Sequence, residues 1–234
     1  FKGLNLTWES LEGIVKHNGI VVSNIPFHTN IYNNKHDLLL SNQPFMESQI
    51  AAISDDVAYN NHDVEDAIRG GLLSINQLQE NIFFNNIINQ LKKEYTIIDD
   101  KLLMFQVLRK SMSLMIEDIY NQTKKNILDL DIKTKEDLQN YNNFVVTFSP
   151  SMQSKAKDIK SFLFDNVYNH QNLLDKRQNV EKIISDLFKY FYNSPNKLPE
   201  DWRSINEPIE RVICDYISGM TDRYASRLHK DLYE

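Results

Sequence analysis

Apolar residues recur along most of this chain at intervals of three and four, a spacing that lines them along one side of an α-helix instead of alternating them across a strand. Thr7 stands where it can cap a first helix reaching about His17, with Glu9 near the positive helix end and Gly19 just past the stop. Residues 20–46 hold Pro26, Asn33, Asn34 and Pro44 with no sustained period, and read as one long surface loop. A second helix is expected over about 47–69, closed by Gly70 and Gly71, then one over about 75–95 capped by Ser74, and a long amphipathic one over about 102–128 behind Asp99. Between 133 and 150 the period weakens, and Phe144-Val145-Val146-Thr147-Phe148 is strand-like enough for at most one short strand pair. Helices resume over about 155–169 and 172–192, and the turn Ser194-Pro195-Asn196-Lys197-Leu198-Pro199 follows. The last helix is expected from Pro208 to about Tyr233, with Ile209, Val212, Ile213, Tyr216, Ile217, Met220, Tyr224, Leu228 and Leu232 on one face. The pattern predicts an all-α fold in a single helical domain over 1–234.

Composition narrows this further. With 234 residues, 41% of them apolar, and only 6 Gly and 6 Pro, the chain has material for a real core and is neither disordered nor low-complexity. No apolar run is long enough to span a bilayer and nothing near Phe1 resembles a signal peptide, so no membrane partner is expected and the cytoplasm is the expected location. The opening Phe1-Lys2-Gly3-Leu4-Asn5-Leu6-Thr7 lacks an initiator Met and reads as part of a longer sequence. Cys214 falls in an apolar-periodic stretch and is expected as a buried thiol, without a disulfide or zinc partner. Met104, Met112 and Met115 are expected as core filling. A net charge of −6, from 26 basic and 32 acidic residues, argues against a nucleic-acid binder working through an overall positive field.

The segment 47–68 concentrates the candidate chemistry. Glu47, Asp55, Asp56, Asp63, Glu65 and Asp66 occur there with no Lys or Arg among them. At about 100° per residue, Ile50, Ile53, Val57, Val64 and Ile68 form one stripe, and Asp55, Tyr59, His62, Asp63 and Asp66 lie nearly opposite. Like charges at this spacing repel by a few tenths of a kcal/mol per pair, so a cation or a hydrogen-bond network would favour the arrangement. Two readings stay open on spacing alone. Either Asp55 ligates a divalent metal while Tyr59 and Asp63, each one turn on, meet a hydroxylated ligand, or the face is simply solvated. Lys16 and His17 end the first helix, as dipole caps or as triphosphate contacts. Arg109 and Lys110 flank the stripe of Leu108, Met112, Met115, Ile116 and Ile119, where an Arg fork reaching phosphate and a solvated flank are equal alternatives. His170 and His229 have no ligand-spaced partner.

The run Ala51-Ala52-Ile53-Ser54-Asp55-Asp56-Val57-Ala58-Tyr59-Asn60-Asn61-His62-Asp63-Val64-Glu65-Asp66-Ala67-Ile68-Arg69-Gly70-Gly71 resembles the signature helix of the deoxyguanosine triphosphate triphosphohydrolase family of the HD-domain superfamily. Leu4 to Glu9, Ile14 to Gly19, Ile159 to Leu163, Val167 to His170, Leu187-Phe188, Leu198 to Trp202 and Asp215 to Ala225 resemble the same family in the same order, over nearly the whole chain. The resemblance implies an HD-domain-like helical bundle. It implies metal-dependent hydrolysis of a deoxynucleoside triphosphate, with dGTP favoured, to deoxynucleoside and tripolyphosphate, the metal being Mg²⁺ or Mn²⁺. In that family an upstream His, a His-Asp pair and a downstream Asp hold the metal; Asp55 matches the last, and Tyr59 and Asp63 match positions facing the deoxyribose. Lys16 and Arg109 are the candidates for phosphate contact, and Asp222-Arg223 resembles the closing motif. Neither His36-Asp37 nor His62-Asp63 stands in the family's metal-pair context, so the resemblance is to a C-terminal portion, with catalytic residues unassigned and the 234-residue chain alone expected to be inactive. The alternative is a catalytically degenerate nucleotide-binding regulatory or oligomerisation module. Further expected partners are copies of the chain itself and an effector, either single-stranded DNA or a nucleotide.

Overall fold

The computed structural model describes residues 4–95 and 99–233, and among these every regular element is helical. The opening Phe1-Lys2-Gly3 noted above lies outside the described residues. The chain divides into two compact units, Phe1–Val167 and Tyr168–Glu234, where its pattern suggests one. Among the described residues no helix is long and apolar enough to cross a membrane.

The first unit holds α1 (Trp8–Val15), α2 (Phe27–Asn33), α3 (Met46–Arg69), α4 (Ile75–Leu78), α5 (Ile82–Glu94), α6 (Asp100–Asp129), α7 (Lys135–Asn140) and α8 (Pro150–Leu163). Local chemistry sets most of the helix starts. The side chains of Thr7, Asp99 and Ser149 each accept a hydrogen bond from the first turn of the helix they precede, and Ser74 forms a reciprocal capping box with Gln77. The helix expected over 75–95 is two, because the Asn81 side chain accepts from the backbone N–H groups of Phe83 and Phe84 and restarts the ladder. Helix α3 packs against α1, α6 and α8, and α5 against α6, around Val57, Val64, Phe84, Ile88, Leu103, Val107, Met115, Ile159 and Leu163.

Two expectations for the irregular stretches are corrected. Residues 20–46 are not one surface loop, for they contain α2 and end in the buried Leu38, Leu40 and Gln43. The segment Phe144 to Phe148 joins no strand among the described residues, and it bends at Val145 and Val146. Side chains take over the ladder's role: Gln49 Oε1 accepts from the N–H groups of Val145 and Val146 at 2.8 and 3.1 Å, and Asn126 Nδ2 donates to the Val145 carbonyl at 2.8 Å.

The second unit holds α9 (Gln171–Asn193), a 3₁₀ turn at Pro195–Lys197, α10 (Glu200–Arg203), α11 (Ile209–Ser218) and α12 (Asp222–Tyr233). Its core is Leu187, Phe191, Leu198, Val212, Ile213, Ile217 and Ala225. The long helix expected from Pro208 to Tyr233 breaks at Gly219, and Thr221 Oγ1 accepts from the Tyr224 N–H to begin the next. Cys214 is exposed, not buried, because α11 turns its neighbours Val212, Ile213 and Ile217 inward. His229 does have a partner: its Nε2 lies 2.9 Å from Asp186, tying α12 to α9.

Candidate functional site: the outward face of α3

Helix α3 is the longest element in the stretch that concentrates the acids, and its two sides differ as the 3.6-residue period requires. Val57, Asn60, Asn61, Val64 and Ala67 are buried, while Asp55, Tyr59, His62 and Asp66 are exposed and Asp63 is half-buried. Ile50 and Ile53, expected in the buried stripe, instead line an open apolar groove of about 720 Å³ between α3 and α6, with Met112, Ile116, Ile119 and Tyr120 opposite. Met104 and Met115 fill the core, whereas Met112 belongs to that groove wall.

The acids of α3 find partners both from another helix and from the helix's own last turn. Asp56 meets Lys160 of α8 at 2.7 Å, and Glu65 meets Arg69 at 3.1 Å. Asp55 accepts a hydrogen bond from His17 Nε2 at 2.9 Å. These pairs remove much of the repulsion that the sequence pattern implies. Tyr59 is 65% exposed, one turn beyond Asp55.

Lys16 is corrected outright as a substrate contact. It is fully buried, ion-paired with the equally buried Glu12, and its Nζ donates to the carbonyls of Leu39, Asn42 and Gln43 at 3.1, 3.0 and 3.4 Å. An ammonium has three protons, and these four acceptors already share them, so none is left for a phosphate. Arg109 is exposed on α6 and edges a shallow cavity with Met112, Ser113, Ile116, Glu117 and Tyr120. That cavity adjoins the apolar groove, whereas Asp55, Tyr59 and Asp63 lie around α3 on the outward side. The structure therefore brings Asp55, Tyr59 and Asp63 together and leaves Arg109 apart from them.

The residues present do not fit a complete metal site. Among the described residues no group of three or more His, Cys, Asp or Glu side chains could hold a metal ion, and divalent cations need several ligands at once. His36 and Asp37 serve their own turn: the imidazole packs on Tyr32 at 4.8 Å, and Asp37 Oδ1 accepts from the Leu39 N–H. The residue that sequence reasoning missed here is His17. Its place beside Lys16 at a helix end leaves a dipole cap and a triphosphate contact as the readings, and no spacing in the sequence reveals that it meets a carboxylate 38 residues away.

Residues 146–231 match the family described as a phosphohydrolase-associated domain. The whole chain is 37% identical to a deoxyguanosinetriphosphate triphosphohydrolase-like protein of Bartonella henselae, covering 61% of that relative. Proteins of the same description from Bartonella quintana and Brucella ovis are 36% and 34% identical, again over 100% of this chain and 61% of theirs. The chain thus spans about three fifths of the curated relatives it matches. Over its whole length, then, the chain is similar to proteins described as deoxyguanosinetriphosphate triphosphohydrolase-like, and a phosphohydrolase-associated domain lies within it.

Proposed function

We propose that the outward face of α3 is the chain's share of a deoxynucleoside triphosphate triphosphohydrolase site, with dGTP as the favoured substrate. The observation that carries this reading is the one-turn series of exposed Asp55, exposed Tyr59 and half-buried Asp63 in a chain similar to proteins named for that activity. Water attacks the α-phosphorus, the bond to the 5′ oxygen breaks, and deoxynucleoside and tripolyphosphate leave. Tyr59 and Asp63 hydrogen-bond the deoxyribose hydroxyl, and the bulk of the Tyr59 ring against the 2′ carbon selects deoxy over ribo substrates. Asp55 presents its carboxylate on the same face. Arg109 is a candidate for phosphate contact from α6. Mg²⁺ or Mn²⁺ belongs to the family chemistry, but the described residues do not make a site for either. With this reading go a cytoplasmic location, assembly with copies of the same chain, and regulation by a nucleotide or by single-stranded DNA.

Phosphorus NMR of the complete gene product mixed with each deoxynucleoside triphosphate tests the reading. Tripolyphosphate is the expected product, and orthophosphate, pyrophosphate or no reaction would count against it. Tyr59→Ala, which removes the ring, should narrow the ratio of deoxy to ribo rates by about tenfold, whereas Tyr59→Phe, which keeps it, should lower both rates and leave the ratio in place. A second reading, a nucleotide-binding module without turnover, is favoured by one observation: Asp55 is already engaged by His17 and has no cluster of further donors among the described residues. Binding of dGTP without any phosphorus product would support that module.

A further inference from the structure

We propose that His17 is a positioning residue of this site, holding the Asp55 carboxylate toward a bound nucleotide; this rests on the proposed triphosphohydrolase reading. The geometry that supports it starts one residue earlier. Lys16 is fully buried and bonded to Glu12 and to the carbonyls of residues 39, 42 and 43, which fixes the end of α1 in the fold. Helix α1 is pinned to α3 a turn before, where Ser48 Oγ donates to the Gly13 carbonyl at 2.9 Å. The helices touch closely there, for a Cβ on Gly13 would stand 3.4 Å from that of Ser48. A chain locked at Gly13 and Lys16 has little freedom at His17, and it delivers the imidazole to Asp55 with Nε2 2.9 Å from Oδ2.

This pair is a poor candidate for a purely stabilising contact. The His17 side chain is 36% exposed and that of Asp55 57%, and ion pairs in such surroundings add little to stability. What the pair does achieve is orientation. A carboxylate on an exposed helix samples several rotamers, and one hydrogen bond from a rigidly mounted ring selects among them. Such selection is how supporting groups sharpen a reacting constellation, because small misplacements of a reacting group are costly in rate.

The test uses the complete gene product with His17→Ala and His17→Gln. The glutamine amide can donate from about the place of Nε2 without being an imidazole. For His17→Ala, kcat for dGTP should fall about 10–100-fold with KM nearly unchanged, and His17→Gln should restore most of the loss. Wild-type kcat in His17→Ala, or a His17→Gln variant as impaired as the alanine, would overturn the proposal. Should the wild-type protein release no product from any deoxynucleoside triphosphate, the triphosphohydrolase reading fails and calorimetric binding of dGTP decides the role of His17. Weaker binding in His17→Ala, recovered in His17→Gln, would support the positioning role, and equal binding in all three proteins would overturn it.

Discussion

The interior of the first unit is threaded with polar side chains, while every buried side chain described in the second is apolar. Glu12, Lys16, Gln43, Gln49, Asn60, Asn61 and Ser111 are all buried in the first unit, against the uniformly hydrophobic cluster around Leu187, Phe191 and Ile213 in the second. The difference follows from what each must hold. Helices satisfy their own backbone, so α9, α11 and α12 need only an apolar seam. The first unit also buries irregular chain, and the carbonyls at 39, 42 and 43 and the N–H groups at 145 and 146 have no ladder to join. Lys16 and Gln49 satisfy those groups, and by doing so they place His17 and the start of α3, where the candidate site lies. Buried polarity here serves position more than stability.

Substitutions that remove one partner from the polar interior should therefore have the largest effects. Lys16→Ala leaves the Glu12 carboxylate buried without its cation and should lower unfolding free energy by about 3–5 kcal/mol in urea titration. Replacing the pair together, Glu12→Leu with Lys16→Met, should recover only the part of that loss due to the stranded charge, because the carbonyls of Leu39, Asn42 and Gln43 still lose their donor. In the apolar unit, Ile213→Ala opens a cavity and should cost about 2–5 kcal/mol, with no comparable rescue by a second substitution. Gln49→Leu strands the Val145 and Val146 N–H groups and should cost about 1–3 kcal/mol, accompanied by faster amide exchange at those residues.

The smallest expected effect is a pH dependence peculiar to the second unit. Burial and the hydrogen bond with Tyr224 push the Tyr216 hydroxyl up from the ordinary 10.0 to about 12. The folded group stays protonated where the unfolded one ionises, so its contribution is complete below pH 10.0 and is lost as pH rises toward about 12. Thermal melts across that window should show the decline, and Tyr216→Phe should remove this part of it. The first unit contains an opposite case. Backbone hydrogen bonds from Lys133 and Thr134 lower the Asp137 carboxyl below 3.8, so its cap on α7 is intact above that value and is lost only as pH falls beneath it.

Helix type and most helix starts were legible because they depend on nearest neighbours: Thr7, Ser74, Asp99 and the glycines after Arg69 act within one turn of themselves. The restart at Asn81 was missed because an apolar period runs on through it, although an Asn before two Phe is a local cap signal. The outward set of α3 followed from the period alone, since Asp55, Tyr59 and Asp63 need only helical geometry to share a side. Lys16 and His17 were out of reach for a different reason. Neighbouring polar residues at a helix end look alike in sequence, and only the path of residues 39–43 sends one inward and leaves the other against Asp55. The expectation for the start of α3 failed in the same way: Ile50 and Ile53 have the period of a buried stripe, yet α6 leaves a groove where they face it.

The central claim is that the outward face of α3 handles the nucleotide, and Asp55→Asn in the complete gene product tests it most directly. Phosphorus NMR with dGTP should show tripolyphosphate from the wild-type protein and at least about a hundredfold less from the variant, whose far-ultraviolet circular dichroism and melting should be unchanged because Asp55 is exposed. Wild-type rates from a folded Asp55→Asn protein would contradict the account.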